Sequence, residues 1–375
     1  MSPQSKPSAA ELERRNLVHV NAETVSAVTS TDFPGHYPGE DNSFSLDTFR
    51  DSLSVKVHQH KQHNMSFSII GIDASIANAI RRIIIAEIPT LAIETVFYDD
   101  NTSVIQDEVL AHRLGLIPFK GGKEGLRNFI KEYKKPEPGA SAGNDLFDYN
   151  TVCLRLDVEC TYKEGAADDE TDPDKLYNHA NVYARDLKFI PSGRQVEYFS
   201  GEDAIAPVNP DILIAKLRPP QAIKCDIYLH KGIGADHAKF SPVCPATYRL
   251  MPVINIKRPI LGSDARKFQK CFPKGVIGLE RVTAAEAAQV GSGYEGHEGE
   301  DKAVVVDAMK DTVSRECLRH PEFKDKVQLG RKRDHFIYSI ESSGQWDSED
   351  LFVEALAVLK RKCQILEKQV VGMCR

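Results

Sequence analysis

Histidines cluster at positions 58, 60 and 63, and on a strand the first two project from one face. Imidazoles so placed could ligate a transition metal or relay protons. No carboxylate or thiol stands beside them in the sequence, so the cluster reads equally as a solvated strand face. A metal-dependent enzyme built on His58, His60 and His63 is the rival reading this leaves. The cysteines stand at 153, 160, 225, 244, 271, 317, 363 and 374, and no two have the close spacing of a zinc knuckle. Gly291, Gly293 and Gly296 match the dinucleotide fingerprint literally. They follow no strand pattern and open no helix, which removes the geometry that cradles a phosphate. His112 could act as a ligand or base, although a satisfied structural imidazole is the commoner use of such a residue. The chain has no P-loop, nucleophile elbow or paired-carboxylate pattern. No catalytic residue, metal or cofactor is expected, and the residues read as those of an interaction protein.

The elements that carry these residues follow from periodicity. Residues 54–60 and 64–72 alternate around a polar turn, a hairpin signal. Residues 75–88 read as a helix stopped by Pro89, because proline disfavours the α conformation in the residue before it. Ile76, Ile80, Ile83 and Ile84 form one apolar stripe on it. Ser75, Asn78 and Arg82 form a second stripe with Arg81 beside it. Consecutive isoleucines at 83, 84 and 85 are poor helix formers, so packing must hold them. The helix reads either as a core helix with a solvated arginine face or as one that buries a face in another chain.

Residues 105–119 hold a short helical centre, carrying His112 and Arg113, that Gly115 and Pro118 end. Residues 150–160, 181–190 and 223–229 alternate as strands between turn-rich stretches at 134–144 and 165–174, giving an antiparallel β-rich module over 96–247. Residues 245–282 are irregular and punctuated by Pro and Gly. Residues 284–301 are acidic and glycine-rich and are expected to be a disordered loop, and residues 1–45 a mobile N-terminal tail. A strand is expected at 334–341 and a long helix at 348–371, with Asp347 placed to cap it. On that helix Phe352, Leu356, Leu359, Cys363, Leu366 and Val370 step alternately by four and three, a heptad seam. The seam suggests a helical partner. A long intramolecular core helix is the plainer alternative.

Composition narrows the class. The chain has 375 residues, 41% apolar and 27% charged, enough for two or three domains with their own cores. Eight cysteines in that length are too few for a disulfide scaffold. No apolar run is long enough to span a bilayer and no signal-peptide stretch opens the sequence, so a soluble intracellular protein is expected. Acidic residues number 54 against 48 basic, for a net charge of −6. Direct DNA binding as the main task is therefore disfavoured. The basic run at 331–333 is a weak import signal.

Residues 76–89 (IANAIRRIIIAEIP) and 90–119 (TLAIETVFYDDNTSVIQDEVLAHRLGLIPF) together resemble the signature of the alpha-type subunits of cellular RNA polymerases. That family includes bacterial alpha, its archaeal counterpart and the eukaryotic alpha-like subunits. The resemblance continues through 237–250 (HAKFSPVCPATYRL), 268–278 (FQKCFPKGVIG) and 334–363, most of the chain apart from the tail and 284–301. The polymerase II branch carries a four-cysteine zinc loop soon after its counterpart of Leu116, Ile117 and Pro118. Here no cysteine falls between Leu116 and Cys153. Residues 183–190 (YARDLKFI) and 211–217 (DILIAKL) instead resemble the branch shared by RNA polymerases I and III. The iron–sulfur domain of some archaeal members is not expected, since only the widely separated Cys244, Cys271 and Cys317 lie in its region.

The resemblance implies an α+β fold of the RNA polymerase alpha type. Residues 46–95 and 248–372 would form a discontinuous dimerisation domain, with a β-rich domain inserted at 96–247. It implies a heterodimer with a small alpha-like subunit, through Ile76, Ile80, Ile83, Ile84, Phe352, Leu356, Leu359 and Leu366. Docking on the large subunits would use Asn78, Arg81, Arg82, His112 and Arg113, within and beside the 107–119 segment. The implied role is non-catalytic assembly. The chain would form a platform for the second-largest and largest subunits of RNA polymerases I and III, beside other small core subunits. It would act in the nucleus and nucleolus on transcription of ribosomal RNA precursor, 5S rRNA and tRNAs, touching DNA only through the complex. The paralogous polymerase II subunit is the alternative within the family. Bacterial alpha's promoter-binding C-terminal domain has no counterpart after Val371, so promoter contact by that route is not expected.

Overall fold

The computed structural model describes residues 8–28, 43–133, 146–165 and 171–373. Its main elements begin with α1 (Ala9–Arg15), β1 (Leu17–Val20), β2 (Val25–Ser26), α2 (Leu46–Ser52), β3 (Ser54–His60), β4 (Asn64–Ile70) and α3 (Ala74–Ala86). Next come β5 (Thr90–Asn101), α4 (Asp107–Gly115), β6 (Val152–Glu159), β7 (Lys188–Ile190), β8 (Ala222–Gly232) and β9 (Val243–Ile256). The last are α5 (Gly262–Lys270), β10 (Ile277–Arg281), β11 (Asp301–Val305), β12 (Val327–Ser342) and α6 (Ser348–Met373). Helices combined with antiparallel sheets make this an α+β fold. Two compact units emerge, one of residues 1–58, 67–77 and 248–338, the other of 59–66, 78–247 and 339–375. The whole 96–247 module lies in the second unit. The boundary expected at 95/96 falls inside β5, which pairs with β8 from Thr90 opposite Gly232 to Asn101 opposite Ile223, with register shifts beside Cys225 and Leu229.

The first unit is organised on a sheet of order β2-β1-β12-β4-β3, with β9 also on β12. The N-terminal region departs from the mobile tail expected of it. Residues Leu17 to Val20 pair antiparallel with Lys332 to Leu329, α1 begins at a Ser8 cap, and Asn16 Nδ2 donates to Asp334 Oδ1 at 2.7 Å. The signal is weak because a four-residue strand gains its stability from a partner far away in sequence. Residues 1–7 and 29–42 of that tail lie outside the described residues. Gly71, at φ +85°, turns β4 toward α3, and a Cβ there would sit 2.3 Å from the Ser52 carbonyl oxygen, so only glycine fits.

The core of this unit gathers Val20, Ile254, Phe268, Phe272, Val276, Phe323 and Leu329. The Phe268 ring meets Phe272 and Phe323 edge-on, with centroids 5.0 and 5.2 Å apart. The 284–301 stretch is a second correction. Thr283 and Glu286 form a capping box around the helical turn Ala284–Ala288, and Glu286 pairs with Lys302 at the start of β11. That ion pair and the bonds from Thr283 hold the Glu286 carboxyl down at about 2. Local capping chemistry orders a segment whose glycine content suggested none. Residues 245–282, expected to be irregular, supply β9, α5 and β10.

The second unit contains a four-stranded antiparallel sheet of order β7-β6-β8-β5. Val152, Leu154, Leu156 and Val158 face inward, as their alternation requires, with Ile223, Cys225, Ile227 and Leu229 beside them. Leu110 and Leu114 of α4 are buried. The expected strand at 181–190 is broken by a 3₁₀ turn at Ala184–Asp186, where Asp186 accepts from the Tyr183 N–H at 2.7 Å.

Candidate partner-binding surface

Helix α6 has two unlike halves. Ser348, Leu351 and Ala355 are buried, and the polar side of this first half is tied to basic residues at 123 and 127. Lys123 Nζ lies 2.5 Å from carboxylate oxygens of both Asp347 and Asp350. Arg127 reaches Glu354 at 2.6 Å and lies over the Trp346 ring, 5.1 Å from its centroid. Trp346 Nε1 donates to the Pro89 carbonyl at 3.3 Å. The Lys123 hydrogen bond holds the Asp347 carboxyl below its ordinary value. Asp347 therefore anchors the helix start through an ion pair.

Beyond Ala355 no residue of α6 is buried as far as Met373, a stretch of about 27 Å at the α-helical rise. Leu356 is 41% exposed, Leu366 60% and Val370 58%, with Cys363 exposed between them. Phe352 and Leu359 are half-buried. The seam read from the sequence is thus an open apolar stripe on a projecting helix, the pattern that marks an interaction site. Among the described residues one ion pair reaches this half: both oxygens of Glu87 lie 2.8 Å from Lys362 Nζ.

Helix α3 behaves differently. Ile80, Ile83 and Ile84 are 3%, 3% and 0% exposed, so they pack in this chain's own core and offer no surface to a partner. The expectation that they form an interface is corrected for these three; Ile76, at 38%, remains exposed. The reason is physical: the chain's own fold already covers these three side chains, which leaves them no apolar surface for a second chain.

Among the docking candidates, Asn78 and Arg81 are brought together, with the Asn78 amide oxygen accepting from Arg81 Nε and Nη2 at 3.2 and 2.8 Å. Arg82 is exposed. Arg113 donates to the carbonyls of Ile214 and Leu213 at 3.2 and 3.0 Å, which spends its fork on this chain. His112 is exposed and lines a cavity of about 210 Å³ with Ile93, Glu94, His237 and Lys239. Lys239 and Glu94 pair at 2.5 Å in its wall.

The histidine cluster diverges. His58 Nε2 lies 2.7 Å from Ser68 Oγ, His60 Nε2 is 3.0 Å from Glu349, and the His63 carbonyl accepts from Ser342 N–H. Among the described residues no group of three or more His, Cys, Asp or Glu is arranged to hold a metal ion. Gly291, Gly293 and Gly296 take positive φ in turns that follow the 284–288 helical turn, and the Gly291 N–H donates to the Glu295 side chain. No described helix is long and apolar enough to cross a membrane. Sequence reasoning missed the Lys123, Arg127 and Glu87 contacts, because each partner lies more than 200 residues away and no local pattern signals such a pair.

Comparison with known proteins adds a family. Residues 66–363 match the family described as the RNA polymerase Rpb3/Rpb11 dimerisation domain. The chain is similar to the DNA-directed RNA polymerases I and III subunit RPAC1 of Saccharomyces cerevisiae, 46% identical over 352 residues, covering 94% of this chain and 98% of the relative. The Homo sapiens protein of that name is 41% identical over 357 residues, covering 95% and 96%. The DNA-directed RNA polymerase II subunit rpb3 of Dictyostelium discoideum is 31% identical over 321 residues, covering 84% and 94%.

Proposed function

The chain belongs to the RNA polymerase Rpb3/Rpb11 dimerisation-domain family, and from that premise we propose that it is the alpha-like assembly subunit shared by RNA polymerases I and III. The branch assignment rests on identity of 41–46% to subunits named for polymerases I and III, against 31% to one named for polymerase II. The observation that carries the assembly role is the open apolar seam of α6. A stripe holding Leu356, Leu366 and Val370 in water is unfavourable by roughly 1.5–3 kcal/mol for each side chain left unburied. A helix of a small alpha-like subunit, laid along Phe352, Leu356, Leu359 and Leu366, removes that surface from water. The paired chains then present a platform on which the second-largest and largest subunits meet, beside the other small core subunits.

Docking on the large subunits uses Arg82, with Asn78 and Arg81 held beside it and His112 exposed on α4. The chain supplies no catalytic group, so nucleotide chemistry belongs to other chains and DNA is touched only through the complex. Its place of action is the nucleus, including the nucleolus, in transcription of ribosomal RNA precursor, 5S rRNA and tRNAs.

The test is recovery of the tagged chain from its native cell in high salt, with co-purifying chains identified by mass. The small partner together with the largest subunits of both polymerases I and III is the expected outcome. Polymerase II subunits alone would transfer the chain to the paralogous role, and a lone monomer would overturn the assembly reading. Arg82→Glu should keep the fold and the small partner yet recover less of the large subunits. Undiminished recovery would remove Arg82 from the docking surface.

A further inference from the structure

Among the described residues strand β3 closes one edge of the first unit's sheet, and every residue of it is exposed. An open edge presents unpaired N–H and C=O groups, which proteins usually guard with proline, a bulge or a covering element. Between Ser54 and His60 there is no proline, and the one charged guard is Lys56. Val55 and Val57, on one face of the strand, are each 52% exposed. Strand alternation puts them on the face opposite Lys56 and His58.

The other face carries Lys56 and the imidazole of His58. His58 and His335 both approach the fully buried Ser68 hydroxyl, at 2.7 and 2.9 Å. His335 is held below its ordinary value, first by burial and then by Lys332, His58 and Lys56, with Asp334 opposing. No acidic residue occurs from 53 to 65.

We propose that β3 is a strand-addition site, where an extended segment of another protein chain pairs with the open edge, setting apolar side chains against Val55 and Val57 and a carboxylate against Lys56. The two faces and the edge each constrain the occupant. The backbone edge asks for alternating donors and acceptors, which a peptide strand offers and a phosphate backbone does not. The valines ask for apolar cover. Lys56 asks for Asp or Glu opposite it on the incoming strand, since opposite charges across a pair stabilise it and like charges do not. A second copy of β3 carries no carboxylate to set against Lys56, so the partner is a different chain. None of the α6 seam residues takes part, and the site does not depend on the helical pairing proposed above.

Residue-resolved amide hydrogen exchange, on the isolated full chain and on the assembled enzyme it co-purifies with, tests this. In the isolated chain the β3 amides that face away from β4 should exchange fast, and on assembly they should slow by on the order of tenfold or more. Val57→Asp changes an exposed side chain and should leave the circular dichroism unchanged while restoring fast exchange in the assembly. Outward amides that stay fast in the assembled enzyme overturn the proposal. So do amides already slow in the isolated chain, which would mean that the chain covers its own edge. Protection that survives Val57→Asp would overturn the apolar contact on which the pairing is built.

Discussion

Glu87 holds Lys362 with both carboxylate oxygens at 2.8 Å. The acid follows the last residue of α3, and the base sits where α6 has left its own core behind. This contact ties the exposed half of α6 to the end of α3. Its partners are 30% and 52% exposed, so its contribution is that of a surface pair, about 0–1 kcal/mol.

Lys362→Glu should therefore weaken binding of the small alpha-like partner by up to roughly fivefold, an amount matching the upper end of a surface pair. Adding Glu87→Lys should recover most of the loss. Calorimetric titration of parent, single and double variants checks this. Equal affinities throughout would mean that the pair does not orient the seam.

Leu366→Glu and Ile84→Val separate interface from core. Leu366 is 60% exposed and Ile84 is 0% exposed. Leu366→Glu should leave the unfolding midpoint of the chain alone nearly unchanged and abolish heterodimer formation. Ile84→Val should cost about 0.5–1.5 kcal/mol of stability through a small cavity and leave partner affinity intact. Urea unfolding and size-exclusion chromatography, run on both variants, decide it; a heterodimer that survives Leu366→Glu removes the seam from the interface.

Cys363 offers a footprint of the same seam. It is exposed, whereas burial pushes the Cys225 and Cys317 thiols up to about 12, which leaves them almost without thiolate at neutral pH. Brief alkylation of the free chain should label Cys363 and spare Cys225 and Cys317. Formation of the heterodimer should protect Cys363. Peptide mass mapping reads the result, and unchanged labelling of Cys363 in the complex would place the partner elsewhere.

The anchor of α6 predicts a pH dependence. The Lys123 hydrogen bond holds Asp347 below its ordinary value of 3.8. A carboxyl depressed in the folded state stabilises that state fully above its ordinary value and ceases to do so as pH falls through the lowered one. Lys123→Met should thus be less stable than the parent at neutral pH, by at most about 1 kcal/mol. The gap should close as pH falls below 3.8. Denaturant unfolding across that range measures it, and a gap of constant size would mean that the lost contact is packing rather than charge.

The α+β class, the β3–β4 hairpin, α3, the inward face of β6 and the whole span of α6 were legible in the sequence, because each is written in local periodicity. The family was legible too, in the 76–119 segment. Periodicity tells which side chains share a face, and it is silent about what covers that face. Ile80, Ile83 and Ile84 and the α6 seam look alike as apolar stripes, yet the first is sealed within the chain while the second stays open. Only the tertiary structure decided between them, because burial depends on which distant residues close over a surface. The same holds for the N-terminal strand β1 and for the Glu87–Lys362 and Lys123–Asp347 contacts. Their stability comes from partners hundreds of residues away, and such pairings are set by the packing of the whole chain.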